Sequence, residues 1–226
     1  MSENRVLLIA CEMLRDELQL AMERTQITPE IIWMEKGLHD MPERLRSALQ
    51  ATIDTASKTY NRILLGMAYC GGAIDGICSR EAELVIPRFD DCIRMLLSTK
   101  PGTTEADCRC MYFTRQWMIS DRYIVREFEN YCRTYGERRG KKIMQAMIGN
   151  YRELRLLDSG AYDVPQYKAM LAADAATLGL CHGVQTGSIR VLEKLLLQQL
   201  DDEFLILPPG EVLTQRQFFF WEAMGI

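Results

Sequence analysis

Three cysteines stand where a parallel sheet would deliver them to a ligand. Cys11 follows the apolar run 6–10 (VLLIA), Cys70 follows 62–67 (RILLGM), and Cys92 follows 82–87 (AELVIP) within a few residues. Short continuous apolar runs of this kind read as strands buried on both faces. In open α/β sheets the ligand crevice lies beyond the carboxyl ends of the strands. A cysteine serving only as core filling would fall within a run or on a helix stripe, as Cys78 and Cys132 could. Three thiols converging from separate strand ends suit a borderline or soft metal: zinc, with a fourth position for water or substrate, or an iron–sulfur cluster. No local CxxC pair reinforces the set.

The remaining candidates are weaker. Cys108-Arg109-Cys110 has CxC spacing, unlike the usual structural-zinc pair, and is expected in a loop. Of the two histidines, His39 follows the second apolar run and is the candidate fourth metal ligand or proton carrier, against the plainer reading of a helix-start residue. His182, beside Cys181, is expected in a surface loop. Gly71 and Gly72 let backbone N–H groups approach a ligand closely, and Arg88 could pair an anionic ligand or the neighbouring Asp90 and Asp91. These three are the candidate cofactor-binding residues. The Gly-Gly pair is neither GxGxxG nor a P-loop.

The elements that must position these groups are legible in outline. Further strands are expected at 31–34, 111–114, 155–157 and 204–207. Helices are expected at 12–24, from Asp40 to about 57, from Asp90 or Asp91 to 97, at 165–178 and at 188–200. Pro42 in the first turn and Glu43 at the capping-box position support the second of these. A helical stretch over about 118–150, broken near Gly136 and Gly140, reads as an insertion capping the sheet. The fold class is therefore α/β: a mostly parallel, doubly wound sheet with helices on both faces, in one domain spanning 1–226.

The chain has 226 residues, 48% hydrophobic and 26% charged, with a net charge of −4. Those values fit a folded domain and argue against disorder. The one basic run, 138–142, is too short for a nucleic-acid footprint. No apolar stretch approaches the ~20 residues of a membrane span, and the start does not resemble a signal peptide. A cytoplasmic location is expected, where eight cysteines serve as free thiols or ligands rather than disulfides.

The segments 63–71 (ILLGMAYCG) and 84–93 (LVIPRFDDCI) resemble the DUF1638 family of uncharacterised bacterial and archaeal proteins. So do the strand ending in Cys11, the segment 38–45 (LHDMPERL), 158–162 (DSGAY) and 204–211 (FLILPPGE). Two positions depart from the family pattern. It more often carries Tyr-Gly-x-Cys at 67–70 and a histidine at Asp90. An aspartate there would exchange nitrogen for oxygen and change metal preference. The resemblance implies an intracellular protein of anaerobic metabolism, working with corrinoid-dependent methyltransferases. It supplies no activity of its own.

Three readings follow. The first is a metal- or cluster-binding protein using Cys11, Cys70, Cys92 and His39, in or accessory to corrinoid-linked methyl transfer or one-carbon metabolism. Its partner would be a corrinoid protein or methyltransferase. A bound corrinoid stays open, although the Asp-x-His-x-x-Gly signature is absent. The second is a metal-free enzyme with Cys70 as nucleophile and the following backbone N–H groups as oxyanion donors. The third is a non-catalytic partner module or homo-oligomer docking through Phe218-Phe219-Phe220-Trp221.

Overall fold

Alternation along each strand decides which face of the first sheet a side chain serves. Strand β1 (Val6–Cys11) sends Leu7 and Ile9 to one core, and Leu8 and Ala10 to the other. The computed structural model describes residues 5–36, 38 and 41–218. β2 (Glu30–Met34), β3 (Arg62–Gly66) and β4 (Glu83–Pro87) run parallel to β1, and β8 (Phe204–Leu207) closes the sheet antiparallel to β4. The order is β2-β1-β3-β4-β8. One face is covered by α2 (Pro42–Ala56) through Leu45, Leu49 and Ile53. The other is covered by α1 (Arg15–Thr25), α3 (Cys92–Leu97) and α8 (Arg190–Leu196), with Leu18, Leu96 and Leu192 in the core.

A second sheet holds three parallel strands, β5 (Cys110–Phe113), β6 (Glu153–Asp158) and β7 (Cys181–Thr186), in that order. The mixed α/β class with mostly parallel strands is as expected, but the strands divide between two sheets. The helical stretch expected at 118–150 lies between β5 and β6 of the second sheet. It comprises α4 (Arg115–Met118), α5 (Ile124–Tyr135) and α6 (Glu137–Ile148), and it is the crossover that a parallel β5–β6 pair requires. α7 (Val164–Leu178) makes the crossover from β6 to β7. The two sheets share a core, since Leu157 of β6 is fully buried among the side chains of α1, α3 and α8. A short helix, α9 (Gln215–Phe218), ends the described chain.

Two expected loops are strands. Cys110 opens β5 and is buried, and His182 lies in β7. Asp40, expected to cap α2, lies outside the described residues, and Met41 holds the N-cap position. Among the described residues, no helix is long and apolar enough to cross a membrane.

Candidate thiol site

The strand order reverses between β1 and β3: from β1 the chain moves outward to β2, then returns to the far side as β3. Crevices in open α/β sheets form at such switch points. Cys11 is the last residue of β1, and Cys70 lies just past the end of β3. The two strands are hydrogen-bonded neighbours.

Backbone bonds bring Cys92 to the same place. The Tyr69 N–H donates to the Phe89 carbonyl at 3.0 Å, and the Cys70 N–H donates to the Asp90 carbonyl at 2.8 Å. The loop after β3 is thereby stitched to the loop after β4. Cys92 then opens α3, whose N-cap Asp91 accepts from the Arg94 N–H at 2.7 Å. The result is a Cys70 Sγ–Cys92 Sγ distance of 3.5 Å.

The backbone at Cys70 is unusual. Its φ is +49°, followed by +64° at Gly71 and +87° at Gly72. Glycine takes this region freely, but a side chain there costs roughly 1–2 kcal/mol. The two interloop hydrogen bonds and the packing of Cys70 against the α2-side core offset that cost.

The thiols sense one another. Burial pushes the Cys11 thiol up to about 12, with a further upward push from Cys70. The Cys92 thiol is raised by its contact with Cys70, then by burial and by the charges of Cys70 and Cys11. Cys11 thus stands within electrostatic reach of the closer pair. A cation among them would reverse this preference for neutral thiols.

Cys70, Gly71 and Gly72 line an open cleft of about 810 Å³. Its other walls include Arg46, Asp75, Asp90 and Arg94. The Tyr69 hydroxyl, raised to about 12 by burial and then by Asp75, is hydrogen-bonded to the Asp75 carboxylate. Arg46 of α2 donates from Nη2 to the Gly72 carbonyl at 2.9 Å, which fixes the glycine turn. Arg46 and Asp75 carry no sequence signal, because each gains its place only when α2 and the glycine turn pack together.

The other predicted residues fall differently. Arg88 does not line the cleft; its backbone N–H donates to the Glu203 carbonyl at 2.8 Å, securing the start of β8. Asp90 and Asp91 both face Arg94, at 3.5 and 3.8 Å. His39 lies outside the described residues, as do Phe219, Phe220, Trp221 and the side chain of Phe218. All eight cysteines are free. Cys78 donates its backbone N–H to Gln50, Cys110 lies against Glu153 in the second sheet, and Cys132 packs under Gly140. Cys108 and Cys181 are exposed. Among the described residues, no three histidine, cysteine, aspartate or glutamate side chains are disposed to hold a metal ion as they stand.

A second polar cluster joins the carboxyl ends of the two sheets. Asp16 accepts from Arg115 and from Gln116, each at 2.7 Å. Glu17, fully buried, accepts from the Ser159 hydroxyl at 3.0 Å. Burial pushes the Glu17 carboxyl up to about 7, with Ser159 and Arg115 opposing. This gives the segment 158–162 a place: it anchors the end of β6 onto α1.

No curated protein and no solved structure matches the chain. A family model, described as a protein of unknown function, matches residues 33–196. That span includes Cys70, Cys92 and the segment 158–162, and leaves Cys11 and β8 outside it. With well over half of its length matched, the chain belongs to the DUF1638 family.

Proposed function

We propose that this protein binds a single borderline metal ion, of the zinc type, through Cys70, Cys92 and Cys11, and uses it to activate a soft nucleophile in the adjoining cleft. The observation that carries the reading is the 3.5 Å separation of the Cys70 and Cys92 sulfurs. Two thiolates on one tetrahedral zinc, each bonded at about 2.3 Å, stand about 3.8 Å apart. The pair is therefore spaced close to one edge of such a site. Cysteines on a [4Fe–4S] cluster bind separate irons and stand well apart, so the spacing favours one ion over that cluster. Cys11, whose charge acts on both of these thiols, would be the third ligand. The open side faces the cleft, where a substrate thiol could lose its proton to the metal's charge. Methyl transfer with a corrinoid protein or methyltransferase as partner is the use that the family resemblance suggests.

The test is elemental analysis and an absorption spectrum on protein purified without air, followed by Co²⁺ titration. About one ion per chain is expected, with an intense thiolate–cobalt band. Cys70→Ser and Cys92→Ser should each abolish the band, Cys11→Ser should weaken it, and Cys108→Ser should leave it unchanged. A folded protein that takes up no metal, or a band that survives loss of both Cys70 and Cys92, overturns the reading.

A further inference from the structure

We infer that Cys70 and Cys92 also form a reversible dithiol–disulfide couple, with Cys70 as the entry thiol and Cys92 as the resolving thiol. The inference uses the same thiol pair as the metal reading and adds regulation of that site, but it does not require the metal.

Three observations carry it. The two sulfurs are 3.5 Å apart, so a bond of about 2.05 Å needs them to close by about 1.5 Å. Only one of the pair faces the cleft: Cys70 lines it, whereas Cys92 does not. The cleft is also open beside Cys70, since a Cβ built at the next residue, Gly71, would meet nothing within 4 Å. Cys70 is therefore the member of the pair that an incoming disulfide meets first.

The co-reactant is a low-molecular-weight disulfide, RSSR. The Cys70 thiol loses its proton and its sulfur attacks one sulfur of RSSR. The R–S–S–R bond breaks, and the departing thiolate takes up the proton as RSH. Cys92 then loses its proton, and its sulfur attacks the Cys70 sulfur of the mixed disulfide. That bond breaks, a second RSH leaves, and the Cys70–Cys92 bond remains. Two protein thiols are oxidised and one small disulfide is reduced to two thiols. A metal held by the pair must leave, because neither sulfur then remains a thiolate.

The experiment treats metal-stripped full-length protein with excess oxidised glutathione, quenches it, tags the remaining thiols and maps them by mass spectrometry. Loss of the Cys70 and Cys92 thiols is expected, as a 70–92 disulfide with no glutathione retained at either position, while any glutathione on the exposed Cys108 and Cys181 maps separately. Cys92→Ser should stall with one glutathione on Cys70, and Cys70→Ser should leave Cys92 reduced. Circular dichroism confirms that each variant is folded. Wild-type protein that stalls with glutathione on Cys70, leaves Cys70 unreacted, or bridges Cys11 instead overturns the couple. A parallel arm preloads Zn²⁺. Oxidation slowed at least tenfold, with zinc released as the disulfide forms, supports both readings. An unchanged rate overturns the metal reading and leaves the couple standing.

Discussion

At the scale of single residues, the site rests on a backbone conformation that only glycine accepts without strain. Gly71 has φ of +64° and open space where a Cβ would go. Gly71→Ala therefore meets strain without collision, and should cost about 1 kcal/mol. Because this residue sets the course of the Cys70 loop, Co²⁺ affinity should fall as well. Gly76, at φ +84° and equally open, is the control: Gly76→Ala should cost similar stability in a urea melt and leave the cobalt titration unchanged. Equal cobalt affinity in both variants would show that the glycine turn does not position the thiol. The three strand-end cysteines were legible because a short continuous apolar run fixes where a strand stops. Whatever follows must lie at the sheet edge. The 3.5 Å contact was not legible, since it depends on the Tyr69 and Cys70 N–H groups bonding across to Phe89 and Asp90, and any residue except proline supplies such a donor.

At the scale of elements, the least legible strand was β7. Its sequence, CHGVQT, lacks a continuous apolar run, and its residues are exposed or half-buried, as befits an edge strand paired on one side only. Without β7 one of the two parallel partners of β6 is lost, and the region reads as helices attached to one sheet. Apolar runs show that strands exist but not which strands pair. The division into two sheets follows from the pairing of β5 with β6, set by a crossover whose helices need a close approach. A Cβ on Gly140 of α6 would lie 2.6 Å from the backbone nitrogen of Cys132 in α5. Helix propensity alone would make Gly140→Ala stabilising by about 1 kcal/mol. The contact is with backbone and cannot swing aside, so overpacking should dominate and the variant should lose about 1–3 kcal/mol. Thermal denaturation gives the sign directly, and a raised melting temperature would mean that α5 and α6 can separate at little cost.

At the scale of the molecule, the question is what fixes one sheet against the other. Part of the answer is apolar, with Leu157 of β6 in the first sheet's core. The rest is the polar cluster in which residues following β1, β5 and β6 meet. Asp16 and Glu17 stand on α1, Arg115 and Gln116 on α4, and Ser159 after β6. Its pH behaviour follows from Glu17, which faces Asp16, Arg115, Ser159 and Tyr162. The folded carboxyl titrates at about 7, against 4.5 when unperturbed. A raised folded value means that the native state binds the proton more tightly than the unfolded chain. The stability this contributes is complete below 4.5 and is lost as pH rises through 7, a swing of roughly 3 kcal/mol for a fully buried group. Carboxylates held low by cations, such as Glu203 beside Arg190 and Lys194, act in the opposite sense, being stabilising at neutral pH and lost in acid. The whole-protein profile mixes these contributions, and one substitution separates them. Glu17→Gln keeps an acceptor for the Ser159 hydroxyl and removes the proton equilibrium. The variant should match the wild type within about 1 kcal/mol near pH 5 and become the more stable protein by pH 8, the gap widening across that interval. Urea melts at a series of pH values would show this. Two profiles that stay parallel from pH 5 to pH 8 would mean that Glu17 carries no held proton, and that the junction between the sheets rests on the Asp16–Arg115 pair and the shared apolar core alone.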